Sequence, residues 1–185
     1  MSSWPIVLRD GEITLRPLRL RDRNRWLEVR ARNREWLAPW EATAPLPEDR
    51  RNLPTFVEMV AFHNREGRAG RSLSFAIWVG DQLVGQITLG GINYGAQRGA
   101  HIGYWIDKSH ANQGITTRAV REITRYGLES LRLHRIEIAL RPENGASKRV
   151  AEKAGYQFEG LRSRYLHIDG DWRDHIVYVK ENFNI

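Results

Sequence analysis

The stretch YWIDKSHANQGITTRA, residues 104–119, decides the fold that this sequence predicts. Its first residues end a strand predicted over Ala100–Ile106, and its last residues begin a helix predicted over Ile115–Leu131. The first turn of a helix has backbone N–H groups without partners and a partial positive charge, so it attracts anions. Gly114 directly before this helix would let a phosphate group approach the backbone closely. One glycine before a helix is weak evidence alone, because most such glycines only form a turn.

Patterns on both sides of this stretch predict an α/β fold. Alternating apolar residues predict strands that start in Glu12–Leu18 and cover Ser72–Val79, Gln82–Gly90, Ala100–Ile106, His134–Leu140, Gln157–Ile168 and Trp172–Lys180. Helical spacing predicts a helix capped by Asp22, then Arg50–Arg65 closed by Gly67 and Gly70, then Ile115–Leu131 and Ala146–Ala154. This order predicts a mixed, mostly antiparallel central sheet of about seven strands flanked by about four helices.

Turn and loop signals complete this organisation. Gly80-Asp81 predicts a two-residue hairpin, and Asp169-Gly170 predicts a type I′ turn. Ala38–Asp49 holds three prolines and predicts a loop between two helices. No internal repeat or low-complexity linker is present, so we expect a single domain over residues 1–185.

Composition excludes several classes of protein. The 185 residues are 41% hydrophobic, which is enough for an apolar core. The absence of cysteine excludes a disulfide scaffold, a Cys-ligated zinc site and a cysteine nucleophile, and the six histidines show no metal-ligand spacing. No apolar stretch approaches the ~20 residues of a membrane helix, and Met1–Arg9 lacks the pattern of a signal peptide. We therefore expect a cytoplasmic protein that does not bind membranes.

The chain is basic, with 29 basic against 22 acidic residues and a net charge of +7. Four of the 29 are lysines, so arginine dominates, and arginine suits bidentate contacts with phosphate or carboxylate. An anionic partner and a merely solvated surface both explain this charge. Because the charge is spread along the chain without a basic run, direct nucleic-acid binding is not expected.

A second polar group of interest opens the helix that follows Arg141-Pro142. Asn144 and Ser147 are three positions apart, so both can face the same side of the helix. Asn144 also suits a helix cap, which is the structural alternative.

Several motifs together resemble the GNAT acetyltransferase superfamily, in its RimJ/RimL-like branch. The resemblance covers nearly the whole chain, and the motifs are specific together although none is specific alone. They are ITLRPL at 13–18, NREWLAPWE at 33–41, QGIT at 113–116, RPENGAS at 141–147, AGYQFEG at 154–160 and DGDWRDH at 169–175.

The resemblance implies acetyl-CoA as the cofactor. The family's pyrophosphate loop, Arg/Gln-x-x-Gly-x-Gly/Ala, matches at Gly114 but departs at Ala111 and Thr116. Binding through backbone N–H groups tolerates both changes. The strand ending at Ile106 would splay from His134–Leu140 and expose backbone groups to the pantetheine arm. The implied cofactor-binding residues are Ile106, Asn112, Gln113, Gly114, Ile115, Thr116, Thr117, Asn144 and Ser147.

The resemblance also bears on the acid that assists the leaving thiol. Many members of the superfamily place a tyrosine seven positions after Asn144, where this chain has Ala151. RimL-like enzymes place a serine at the position of Ser147, which makes Ser147 the candidate catalytic residue. Capping of the helix by this serine is the alternative.

The base is harder to assign. Related chains carry an acidic residue near the position of Arg164. Glu41 is the remaining candidate, either ordering a water molecule or binding the incoming ammonium, and His101 and Asp107 are weaker ones. A peptide α-amine has a pKa of ~7.7–8.0, against ~10.4 for lysine, so weak base assistance suits N-terminal amines.

The substrate-binding residues implied by the resemblance are Trp36, Trp40, Glu41 and Tyr165. The two tryptophans could instead form a small core beneath their loop. The predicted function is transfer of an acetyl group from acetyl-CoA to a primary amine, best the N-terminal α-amine of a protein, with a ribosomal protein favoured and with a monomer or homodimer expected. The alternatives are a GNAT enzyme acting on a small amine or antibiotic, and a non-catalytic acyl-CoA- or RNA-associated module.

Overall fold

One mixed β-sheet organises the computed structural model, which describes residues 4–50 and 53–185. Its strands are β1 Leu8–Asp10, β2 Ile13–Arg16, β3 Leu73–Val79, β4 Gln82–Asn93, β5 Gly99–Ile106, β6 Arg135–Leu140, β7 Gln157–Ile168 and β8 Asp171–Glu181. The α-helices are α1 Arg23–Arg32, α2 Arg34–Leu37, α3 Pro47–Arg50, α4 Phe56–Arg68, α5 Ile115–Arg125 and α6 Gly145–Lys153. The predicted α/β class and mostly antiparallel sheet are confirmed.

The strands lie in the order β1-β2-β3-β4-β5-β6-β8-β7, and every neighbouring pair except β5–β6 is antiparallel. The parallel pair is short: Gly99–His101 pairs with Arg135–Glu137, and the two strands then separate. The predicted splay is therefore present. It leaves a gap in the sheet beside the second half of β5.

Two apolar cores cover the two faces of this sheet. The larger core lies under α5 and α6 and includes Ile123 and Ala151, both fully buried. The smaller core lies under α1 and α4 and includes Val29, Phe56 and Val60. Burying such side chains contributes roughly 1.5–3 kcal/mol each, so both helix layers are held to the sheet mainly by apolar packing.

The hairpin predictions are confirmed by backbone geometry. Gly80 has φ +57° between β3 and β4. Asp169 and Gly170 have φ +48° and +80°, the two positive values that a type I′ turn requires.

The sheet has eight strands in the described residues, one more than predicted. The additional strand is β1, which is only three residues long and pairs with β2 alone. A segment this short carries too little alternation to be recognised from its sequence.

The second predicted helix, Arg50–Arg65, is wrong in its bounds. The structure has the short helix α3 and then α4, which begins after Thr55; Arg51 and Asn52 lie outside the described residues. The Thr55 hydroxyl accepts from the Glu58 N–H at 3.3 Å, and the Glu58 carboxylate accepts from the Thr55 N–H at 2.8 Å. This capping box sets the start of α4.

Gly67 was expected to close this helix but lies inside it. A Cβ atom there would stand 2.5 Å from ring atoms of Trp4. The glycine therefore allows the N-terminal segment to pack against α4.

Two other local predictions need correction. Asp22 directly precedes α1 as predicted, but its carboxylate accepts from the Arg19 N–H and from the Arg16 guanidinium instead of capping the helix. The helix predicted over Ile115–Leu131 is α-helical only to Arg125 and continues as a π-turn over Tyr126–Ser130.

None of the helices formed by residues 4–50 and 53–185 has the length and apolar character to cross a bilayer.

Candidate functional site

A cleft of about 670 Å³ opens at the gap between β5 and β6. The start of α5, the start of α6 and the segment that follows α2 form its walls. Its lining includes Ile106, Asn112, Gly114, Ile115, Thr116, Thr117, Asn144, Ser147, Trp36, Trp40 and Glu41, all of which were predicted site residues. Gln113, Tyr165, His101 and Asp107, also predicted candidates, are not part of the lining.

The start of α5 offers open hydrogen-bond donors to this cleft. Gly114 is the N-cap residue with φ +79°, and no side chain caps the helix. The first-turn N–H groups therefore have no intrahelical acceptor. Thr116 and Thr117 are buried at this turn. The Gln113 amide instead donates to the Ser109 carbonyl oxygen at 2.9 Å, which accounts for its place outside the lining.

Asp107 anchors the loop that leads to this turn. Its carboxylate accepts from Arg32 Nη2 at 2.6 Å, from Asn33 Nδ2 at 2.7 Å and from Ser109 Oγ at 2.8 Å. His110 Nδ1 lies 3.2 Å away. Burial alone would raise the pKa of Asp107, but these hydrogen bonds outweigh it and hold the pKa far below its usual range. Asp107 is therefore a poor candidate for the base, because its carboxylate is engaged by these partners and does not line the cleft.

The free edge of β5 faces the gap. The Asp107 N–H donates to the Val84 carbonyl oxygen of β4 at 2.7 Å, so the alternation of the strand turns the backbone of Tyr104 and Ile106 away from β4. Of the backbone groups that face the gap, the Ile106 carbonyl oxygen already accepts a hydrogen bond from Trp36 Nε1–H at 3.2 Å. This bond joins the segment after α1 to the strand at the gap.

The start of α6 forms the opposite wall. Asn144 Oδ1 accepts from the Ser147 N–H at 3.0 Å, so Asn144 is the helix cap. The alternative in which Ser147 caps the helix is wrong. The Tyr104 hydroxyl donates to the Ser147 carbonyl oxygen at 3.4 Å, and burial raises the pKa of Tyr104 to about 12. Ala151 is fully buried and offers no polar group.

Trp36, at the end of α2, and Trp40, in the 3₁₀ turn Ala38–Trp40, form the remaining wall, and cations pack against both rings. The Arg141 guanidinium lies 5.4 Å from the ring centroid of Trp40, and Lys108 Nζ lies 5.7 Å from that of Trp36. Neither tryptophan belongs to the two apolar cores of the described chain, so the small-core alternative is not supported. Glu41 forms an ion pair with Arg30.

Tyr165 lies outside this cleft. Its ring packs edge-on against His175, and its hydroxyl accepts from Arg162 at 3.2 Å. A bulge in β7 turns it there: Arg164 has φ +47°, and its N–H donates to Asp174 Oδ1 at 2.8 Å. His101 is exposed on β5, where its ring packs against Gly90 and Gly91.

Comparison with known families decides the identity of the fold. The model of the acetyltransferase (GNAT) domain matches residues 12–157. The chain belongs to the GNAT acetyltransferase family.

This GNAT acetyltransferase is similar to RimJ of Mycobacterium smegmatis, solved in complex with CoA-disulfide, with 36% identity and a TM-score of 0.86 over 96% of this chain and 88% of that chain. It is 32% identical to the probable N-acetyltransferase YjcK of Bacillus subtilis over 92% of this chain and 94% of that protein. It is also 26% identical to the ribosomal protein uS5-alanine N-acetyltransferase of Escherichia coli, over 93% and 89% of the two chains. GNAT acetyltransferases use acetyl-CoA as the acetyl donor.

Among the lining residues that sequence analysis missed, five lie on the sheet. These residues are Gln86, Thr88, Gly103, Tyr104 and Trp105. They come from the middle of β4 and β5, and their cross-strand pairing places them together. Thr88 and Gly103 share a face of the sheet because they are cross-strand partners. The sequence does not reveal this pairing, because it does not show the register of the two strands. The described part of the acetyltransferase brings together no group of three or more His, Asp or Glu side chains that could hold a metal ion.

Proposed function

We propose that this acetyltransferase acetylates the N-terminal α-amine of a protein, with a ribosomal protein favoured, in the cytoplasm where such proteins are made. The observation that carries the proposal is the charge of the cleft. Two carboxylates line it, and both are paired: Glu41 with Arg30, and Glu143 with Arg141 at 3.3 Å. A cleft without a free carboxylate suits an amine that is already partly neutral at pH 7, which a peptide N-terminus is and a lysine is not.

The residues of the cleft fit acetyl-CoA, which supplies the acetyl group as a thioester. The backbone N–H groups after Gly114 would bind the pyrophosphate, because no side chain caps this helix start. The backbone of Tyr104 and Ile106 would bind the pantetheine arm along the gap. Asn144 would contact that arm through its amide nitrogen, because its Oδ1 is used in the cap.

Ser147 and Glu41 have different proposed roles. The Ser147 hydroxyl is released from capping by Asn144, so it can donate a hydrogen bond to the leaving sulfur. Glu41 is held beside the cleft by Arg30 and would position the incoming amine through water or direct contact. Most of the rate would come from placing the two reacting groups together.

Two relatives support the choice of acceptor. The M. smegmatis relative is named RimJ, and the E. coli relative is named as an N-acetyltransferase of an alanine of ribosomal protein uS5. Trp36 and Trp40 form a wall where an extended peptide could lie.

Thiol release from acetyl-CoA tests this proposal directly. We expect turnover with short peptides that have free N-termini and none with the same peptides after N-terminal blocking. Aminoglycosides and polyamines serve as competing acceptors. Turnover with these small amines alone would contradict the proposal, and so would CoA binding without turnover of any amine.

Replacing Ser147 with alanine should lower kcat by about 10²-fold, the lower end of the usual contribution of a positioned proton donor. The Kd for CoA should change less than twofold, because the hydroxyl acts at the sulfur only after binding. Steady-state kinetics and calorimetric titration with CoA measure the two quantities. Ser147→Cys retains a weak donor and should recover part of the rate, whereas wild-type turnover in Ser147→Ala would remove the assignment.

A further inference from the structure

Residues 36–42, the cross-gap segment, span the open end of the gap between β5 and β6. Because these two strands are parallel, they end on the same side of the sheet, where their pairing has already stopped. On the β5 side, Trp36 Nε1–H donates to the Ile106 carbonyl oxygen at 3.2 Å. On the β6 side, Arg141, which directly follows the strand, donates from Nη1 to the Pro39 carbonyl oxygen at 2.8 Å. The cross-gap segment is therefore tied to both strands that border the cleft.

Arg141 contacts the cross-gap segment and the start of α6 at the same time. Besides its bond to Pro39, its guanidinium lies 5.4 Å from the ring centroid of Trp40. Its Nε lies 3.3 Å from Glu143 Oε2, and its side chain is only 17% exposed. Glu143 precedes Asn144, the cap of α6. Arg141 thus joins the cross-gap segment to the turn from which α6 and Ser147 start.

The far end of the cross-gap segment is held independently of Arg141. Ala42 forms a β-bridge with Ile168, and the next N–H, that of Thr43, donates to the His167 carbonyl oxygen at 2.9 Å. These bonds attach the segment to the hairpin of β7 and β8. Weakening the contact at Arg141 would therefore shift the middle of the segment without releasing its end.

The cross-gap segment forms one side of the cleft, but Arg141 does not reach the cleft itself. The lining residues of the segment are Trp36, Leu37, Trp40, Glu41 and Ala42. Arg141 is not part of the lining, so it can influence a substrate only through the residues that it holds. The pantetheine arm would lie along the edge of β5, to which the same segment is tied by Trp36. The two ties therefore set the distance between the acceptor wall and the bound thioester.

We propose that Arg141 is a positioning residue, which holds the acceptor wall where the amine can attack the thioester. This inference builds on the proposed function, because that function assigns Trp36, Trp40 and Glu41 to the acceptor. A displacement of about 1 Å between reacting groups can lower a rate by about 10²-fold. Trp36 supplies the second tie through its indole N–H.

Replacing Arg141 with lysine tests the proposal, because lysine keeps the charge but lacks the planar fork that serves several partners at once. We expect kcat/KM for a peptide with a free N-terminus to fall by about 10- to 100-fold. The Kd for CoA should stay within about twofold of the wild type, because Arg141 does not line the cleft. Steady-state kinetics and calorimetric titration with CoA measure the two quantities. An equal loss of CoA binding would show a general structural role and overturn the proposal.

Arg125→Lys is the matched control. Arg125 is also paired with a glutamate, Glu122, at 2.8 Å, but it lies at the end of α5 outside the cleft. This variant should keep the wild-type kcat/KM. A loss as large as that of Arg141→Lys would mean that any exchange of a paired arginine slows the enzyme, and the assignment would fail.

Trp36→Phe weakens the other tie, because it keeps an aromatic ring and removes the N–H that Ile106 accepts. Alone it should lower kcat/KM for the peptide by about two- to tenfold, the usual effect of one hydrogen bond. Because both ties act on one segment, the double variant with Arg141→Lys should lose less than the product of the two single losses. Losses that multiply would contradict a shared action on the cross-gap segment.

The outcomes separate this inference from the proposed function. If the wild type acetylates peptides and Arg141→Lys does so equally well, the positioning role is wrong and the proposed function stands. If the wild type acetylates only small amines, the proposed function fails, and the same comparison with the best small amine decides the positioning role. If it acetylates no amine, both fail.

Discussion

Replacing Gly114 with aspartate should weaken binding of CoA by about three orders of magnitude. The Cβ of the new side chain meets no protein atom within 4 Å, so the fold has room for it. Its carboxylate, however, would stand at the helix N-terminus where the pyrophosphate is proposed to bind. Two unit charges about 4 Å apart repel by about 4 kcal/mol at an effective dielectric constant of ~20, and each 1.4 kcal/mol is a factor of ten in Kd.

Gly114→Asn is the matched control for this variant. Gly114 has φ +79°, so any side chain there carries backbone strain of roughly 1–2 kcal/mol, and asparagine and aspartate carry it alike. The two variants should have similar Tm values, but only aspartate should lose CoA binding in a calorimetric titration. Equal loss of binding in both variants would mean that strain of the loop, not charge, is responsible. Unchanged binding in Gly114→Asp would refute the assignment of the loop.

Replacing Asp107 with asparagine should destabilise the protein by about 3 kcal/mol, near the lower end for breaking a buried ion pair because Arg32 is half exposed. The variant leaves Arg32 without its carboxylate and weakens the bonds from Asn33, Ser109 and His110. For a chain of this length the Tm should fall by roughly 6–12 °C. Differential scanning calorimetry at pH 7 measures this.

The Tm difference between wild type and Asp107→Asn should depend on pH in a direction that the pKa of Asp107 determines. Folding lowers the pKa of Asp107, so its charge stabilises the fold at any pH above the unfolded value of about 3.9. This stabilisation is lost as the pH falls toward the lower pKa of the folded state. The Tm difference between wild type and Asp107→Asn should therefore be full at pH 7 and shrink below about pH 4. Asp81→Asn, in the exposed turn before β4, should show almost no difference at either pH. A Tm difference for Asp107→Asn that stays constant from pH 7 to pH 3 would contradict this account.

Local patterns were sufficient to predict the parts of the site that depend on local geometry. Gly114 precedes a helix in the sequence, and a glycine at that position has no side chain that could cap the helix. Asn144 suited a cap from its residue type, and it is one. The splay also followed from the resemblance to a known family, which carries information that no single motif contains.

Long-range pairing could not be predicted in this way. Glu41 and Arg30 are eleven positions apart on different elements, and Trp36 meets Ile106 across 70 positions. Which partners meet depends on how the helices are placed on the sheet. The bulge beside Tyr165 is a further case, because nothing in the sequence shows that β7 carries two extra residues between Arg162 and Leu166 relative to β8.

The short parallel pairing between β5 and β6 also has a consequence for cooperativity. Only three residue pairs join β1–β5 to β6–β8, whereas β6 and β8 share six. In its hydrogen-bonded ladder the sheet therefore consists of two well-bonded parts with a weak seam, and the two parts are held together by the apolar core that they share. A cofactor in the cleft would lie between β5 and the start of α6, which follows β6, so its binding free energy would add to the work of separating the two parts. Bound acetyl-CoA would then make the two parts of the sheet unfold as one cooperative unit.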